Sequence, residues 1–407
     1  MHKLTLSTIA FVASLAAQMA YAQNVTFEGR IEANAVAATH ADSWQSKGIG
    51  LSRTEHNSLN LQQSFVKAKV AFNKDWRFTA VLNAYTDGEK HLGLTQAFAR
   101  YKPIVPNTIK FSARLGFFYP SMSIENTANG WLSPYSYTQS AINSWIGEEL
   151  RVLGAEASWS LNGRKQRSPW SWRVNLAAYK GNDPLGSLLT WRGFAMHNRQ
   201  SLHHSRVQFA NIPSVINSTT FDSPTWVAPF SEIDGKIGVY AGMHISYLRQ
   251  TNLRYYFYDN RANPLAVNKQ RLYAWRTKFH SLALQHQLSS AWRFMAQYMD
   301  GDTLMGDNQV QADYLAWYAA ISHTAGKHRF TARYDNYKVY ENDSLPEDPN
   351  NSNGSGLTLN WQWQFSKHIE WGIEWHQHKS TVSNRALLNA PVYLRQSQLL
   401  FVSAYTF

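Results

Sequence analysis

From Arg395 to Phe407 the side chains alternate in character. Counting back in twos, Phe407, Tyr405, Ser403, Phe401 and Leu399 share one side, and Thr406, Ala404, Val402, Leu400 and Gln398 the other. Period two is the geometry of a strand. A strand that ends on such an aromatic row leaves ladder groups unpaired in water and invites aggregation. In hydrocarbon an open edge is worse, because nothing there satisfies its N–H and C=O groups, so the last strand must close against the first. The expected fold is therefore all-β, a transmembrane antiparallel β-barrel.

The other end of the chain predicts export. Residues 1–22 read as a signal peptide: His2 and Lys3 precede an apolar run from Ile9 to Ala17, and Ala20-Tyr21-Ala22 is a cleavage site of the small-residue type. That run is too short to span a bilayer, and no later stretch approaches the roughly 20 apolar residues of a transmembrane helix. Residues 23–407 are expected to form one barrel. The mean hydropathy of −0.41 is that of a water-soluble chain, yet 14% of residues are aromatic, with 16 Trp and 21 Tyr. A membrane barrel reconciles the two, with polar residues inside and apolar residues and aromatic girdles outside. There is no Cys and hence no disulfide framework.

Alternation predicts about 16 strands. The clearest sets Leu357, Leu359, Trp361, Trp363 and Phe365 against Thr358, Asn360, Gln362 and Gln364. A strand at about 94–102 shows a weaker pattern, and one at 272–288 loses its parity near Lys278. Segments 40–60, 120–148, 181–234 and 341–355 read as loops, the third as a large surface loop. Connections after even-numbered strands are short and those after odd-numbered strands mostly longer, as expected for periplasmic turns and extracellular loops. Both ends of the barrel then lie on the periplasmic side.

The terminal segment resembles the C-terminal strand of bacterial outer-membrane proteins, where a final Phe with alternating apolar residues is an assembly signal. The passage Arg114-Leu115-Gly116-Phe117-Phe118-Tyr119-Pro120, continuing to Glu125, is similar to the Gly-x-Phe-x-Pro…Glu passage of the phosphate-selective porin-like family. The resemblance implies the bacterial outer membrane and a homotrimer. As in general porins, it also implies a third extracellular loop folded into the lumen. Glu125, Asn126, Trp131, Tyr135, Asn143 and Trp145 are the candidates for that constriction. The loop lacks the family's basic cluster.

A barrel of this size has room for a water-filled channel. Phasing places Lys67, Lys69, Arg77, Lys110, Arg114, Arg173, Arg254, Arg293, Arg329 and Arg333 as pore-lining, with Arg30 and fewer acids: Glu28, Glu32, Glu156, Asp335, Glu370 and Glu374. Rings of Lys and Arg suit anions, and the same charges also serve simply to solvate the lumen and pair across strands. The expected function is passive diffusion of small hydrophilic solutes, leaning towards anions. The competing reading is a non-conducting barrel acting as an adhesin or enzyme through its extracellular loops. Ser140 and Ser144 have no base beside them in sequence, so catalysis is not expected. His376 and His378 share a face without a third ligand, and His203-His204 reads as solvated. No cofactor, metal or nucleic-acid partner is expected.

Overall fold

The computed structural model describes residues 24–407 apart from 40, 217–221 and 344. The expected signal peptide lies outside the described residues. The barrel strands are β1 Asn24–Thr39, β2 Ser58–Leu61 and Ser64–Ala71, β3 Trp76–Ala84, β4 Leu92–Tyr101, β5 Ile109–Phe118, β6 Val152–Leu161, β7 Trp170–Lys180 and β8 Gly238–Tyr247. They continue as β9 Thr251–Asp259, β10 Arg276–Gln287, β11 Trp292–Met305, β12 Val310–Ala325, β13 His328–Glu341, β14 Ser352–Gln364, β15 Ile369–Val382 and β16 Tyr393–Thr406. All neighbours are antiparallel. β2 is one strand broken at Gln62 and Gln63, so the paired segments form 16 strands.

The barrel closes where β1 meets β16, in a register running from Arg30 opposite Thr406 to Thr39 opposite Ser397. Beyond the last rung, Gly29 and Phe407 exchange backbone hydrogen bonds. Outward positions such as Phe27, Ile31, Leu115, Leu153, Leu359 and Phe401 are exposed in the isolated chain, and together they form the apolar belt that meets lipid. No described helix is long and apolar enough to cross a membrane.

Several strands reach further on the long-loop side than alternation predicts. Residues 58–61 and 352–356 are paired strand, although they read as loop. Asn353 and Ser355 are polar, and Leu59 with Leu61 makes an apolar row only two residues long, so neither stretch announces a strand. β10 begins at Arg276 rather than near 272. Its alternation is regular, but Phe279 and Ala283 face inward and are buried while Lys278 and His280 face outward. Inverted chemistry, rather than irregular backbone, hides its phase.

The largest correction concerns 181–234, read as a large surface loop, whose first part turns inward. Residues 182–202 are almost wholly buried, including α2, Ser187–Arg192, which follows α1, Ala141–Glu149, in chain order. Every residue of both helices is buried.

Candidate functional site

The third extracellular loop, 119–151, folds into the lumen. Its helix α1 begins at Ser140, whose hydroxyl accepts from the Asn143 N–H at 3.3 Å. Two carboxylates reinforce this cap. Glu125 accepts from the Ser140 N–H at 3.1 Å and the Ser140 hydroxyl at 2.6 Å, and Asp335 of β13 accepts from the Ala141 N–H at 3.0 Å. Negative charge at a helix start is favourable, because the first N–H groups point at it. Both carboxylates are held by Arg333, at 2.7 Å to Glu125 and 2.8 Å to Asp335. Arg333 also donates to the Thr138 carbonyl at 2.6 Å. Two strands further round the wall, Glu374 of β15 accepts from the Tyr137 and Thr138 N–H groups at 2.6 and 2.7 Å. The barrel thus captures the loop's backbone with arginine and carboxyl side chains, and charge-assisted bonds are the strong ones.

The far face of α1 is apolar. Trp145 meets Phe194, Phe279 and Tyr314 edge-on, at centroid distances of 6.2, 5.6 and 5.4 Å. This arrangement is why Phe279 points inward. Trp131 stacks on Tyr119 at 4.1 Å. Trp145→Ala is expected to cost about 3–5 kcal/mol, read as a lower denaturant midpoint, with proteolysis newly reaching 119–151.

The inward cations sort into two groups. Arg254 donates to the Ser121 carbonyl at 3.2 Å, Arg293 to the Tyr135 hydroxyl at 2.8 Å, and Arg329 to the Pro134 carbonyl. With Arg333 they are anchors of the loop. Lys67 donates to Asn129 at 2.6 Å and lies 3.6 Å from Glu28, with which Lys69 also pairs. Lys110 reaches the Val105 carbonyl of its own turn. Asn126 closes the loop locally, donating to the Trp131 carbonyl at 3.0 Å, and Asn143 donates to Glu125 at 2.8 Å.

The second group is a row. Arg77 of β3 stands opposite Arg100 of β4, which stands opposite Arg114 of β5, which stands opposite Glu156 of β6. Arg114 is buried in a two-bond pair with Glu156 at 2.7 and 2.9 Å. Arg77 and Arg100 are exposed, as is Arg173 on β7, and Arg100 lies within electrostatic reach of all three. Arg100 escapes the sequence pattern because β4 carries a bulge near Thr95, between the partners of Val81 and Leu82, which shifts its parity.

Above the third loop, the fourth loop, 181–237, covers the extracellular mouth. Leu188, Trp191 and Phe209 pack with Trp44 and Leu51 of the first loop and Trp275 of the fifth in one apolar core. The two inserted loops are latched by Glu148 and Arg192, paired by two bonds of 2.5 and 3.0 Å, with His197 3.4 Å from the same carboxylate. Burial alone would raise the Glu148 carboxyl, but Arg192 and His197 hold it well below the usual range. Its neighbour Glu149 accepts from the Trp145 indole N–H at 2.6 Å and the Leu188 N–H at 3.2 Å. Burial and the Glu148 charge push Glu149 up to about 7.

A raised carboxyl pKa means that the folded state takes up a proton. The stabilisation from Glu149 is therefore complete below its unfolded value of about 4.5 and is lost as pH rises through about 7. Glu149→Gln is expected to flatten the pH dependence of amide-exchange protection in α1 between pH 5 and about 8.

The remaining candidates are structural. Ser144 donates to the His197 carbonyl at 2.8 Å. His376 is buried against Thr358 at 2.9 Å, and His378 against Tyr337. His203 is half-buried and packs on the exposed His204, ring centroids 3.9 Å apart.

No family model and no curated protein sequence matches the chain. Solved structures do. The outer membrane channel DcaP of Acinetobacter baumannii superposes with a TM-score of 0.59 at 12% identity, over 94% of this chain and 97% of that one. A loop L8 deletion mutant of OmpT, an outer membrane protein of Vibrio cholerae, gives 0.55 at 9%, over 94% and 99%. An anion-selective porin from Comamonas acidovorans gives 0.53 at 10%, over 94% and 99%. At such identities the likeness establishes the fold. That fold is the one of the bacterial outer-membrane porins, a closed antiparallel barrel of 16 strands.

Proposed function

We propose that the chain, exported by residues 1–22 and assembled as a homotrimer, is an outer-membrane channel for small hydrophilic solutes with a preference for anions. The observation that carries this reading is the row Arg77, Arg100 and Arg114 with Arg173 beside it. Like charges directly opposite one another destabilise a sheet, and a low-dielectric wall focuses their field into the lumen. Only Arg114 is neutralised by a close acid among the described residues. The uncompensated remainder suits a passing anion.

A second reading has its own support. The apolar cover of Leu188, Trp191, Phe209, Trp44 and Trp275 over the mouth favours a barrel that conducts only after the fourth loop moves, or one that presents its loops to a partner without conducting.

Planar-bilayer recordings under a KCl gradient separate these. Conductance steps with a chloride-favouring zero-current potential support the anion channel. Steps favouring potassium retain the channel and remove the anion preference. A folded barrel that gives no steps moves the non-conducting reading to the front.

A further inference from the structure

Where β14, β15, β16, β1 and the upper part of β2 meet, the membrane-facing wall is hollowed. One cross-strand row runs from Trp363 through Trp371 to Ser403 and Ala33 and ends on Leu61. The next has Ala35 near its centre, between Phe401 and Leu59. Large side chains at both sides and small ones between leave an apolar groove of about 660 Å³.

Towards the extracellular end of the same wall, Lys379 of β15 stands directly opposite Arg395 of β16. Both are exposed and outward-facing. Two cations in this position repel, and neither belongs to any ion pair of the described residues. The flanking outward residues Ser355, Gln377, Thr381 and Tyr393 carry no negative charge.

Depth links the two features. Arg395 and Phe401 are six residues apart, about 20 Å along a strand and, at a tilt near 40°, about 15 Å along the membrane normal. That is half of the roughly 30 Å hydrocarbon layer, the depth of one leaflet. An amphiphile with its anionic head on the cation pair would lay its chain in the groove.

We propose that this wall binds a phosphate-bearing lipid of the extracellular leaflet, with Lys379 and Arg395 on the phosphate and an acyl chain over Ala33 and Ala35. The guanidinium fork of Arg395 suits two phosphate oxygens, and Lys379 supplies the second charge. The site lies outside the lumen and is independent of conduction.

The test is native mass spectrometry of the full barrel in neutral detergent, titrated with dimyristoyl phosphatidylglycerol or with dimyristoyl phosphatidylcholine. The phosphatidylglycerol adduct is expected at about tenfold lower lipid. The Lys379→Gln/Arg395→Gln double variant should lose that preference, and Ala35→Trp should lose adducts of both lipids. All three positions face outward, and heat-modifiable gel migration checks folding. Equal binding of the two lipids, or an unchanged phosphatidylglycerol adduct in the double variant, overturns the proposal. So does conversion of an oligomer to monomer by Ala35→Trp with lipid binding intact, which would assign the groove to a second copy of the chain.

Discussion

Arg333→Leu is expected to lower stability by about 3–5 kcal/mol, because it strands two buried carboxylates rather than removing one bond. Glu125 and Asp335 both lose their guanidinium partner, and the cap of α1 that they form then holds unpaired charge. A lower denaturant midpoint together with protease cleavage within 119–151 would check this. The double replacement Arg333→Leu/Glu125→Gln should recover part of the loss, since it also removes one of the orphaned charges. Loss of stability with the third loop still protected would mean that the loop is held by its apolar face alone.

Reversing the arginine row tests selectivity instead. Arg77→Glu/Arg100→Glu is expected to shift the chloride-to-potassium permeability ratio by about tenfold towards potassium. Tenfold corresponds to about 1.4 kcal/mol in all, well below about 1 kcal/mol for each of the four charge units changed at 4 Å in water, because a hydrated ion passes further away and salt screens the wall. Both side chains are exposed on the inner wall, so the barrel should fold as before. The zero-current potential is the readout. An unchanged potential would place the permeation path away from this wall.

Much of the architecture was legible because lipid imposes a simple code. In β14 and β16 the outward rows Leu357, Leu359, Trp361, Trp363 and Leu399, Phe401 obey it without interruption, and the predicted face is the observed one. Where the wall meets protein on the inside instead of water, the code fails. Phe279 and Ala283 face inward and are buried in the core that receives α1, so polar-in, apolar-out alternation cannot phase the strand that carries them.

Trp131, Tyr135, Tyr137 and Trp145 are too aromatic for a solvated loop, and the loop that carries them is buried. The same argument applies to Leu188, Leu189, Trp191 and Phe194, spaced as a helix and equally buried. That spacing was a signal for the fourth loop. The role of Arg333 could not be read from sequence, since an inward arginine that lines water and one that grips a loop have the same spacing along a strand. Arg100 was hidden by a single extra residue at the bulge.

The contacts of the third loop also bear on how the cylinder is put together. On one side of the β1–β16 junction Asn129 donates to Glu28 at 2.7 Å and Gln63 to the Tyr137 carbonyl at 2.8 Å. On the other side Gln398 donates to Thr138 at 3.3 Å, and Glu374 holds the Tyr137 and Thr138 N–H groups. The loop therefore stitches together the two margins that must meet last. A segment seated in the lumen as the margins meet can act as a template that brings both of them into register.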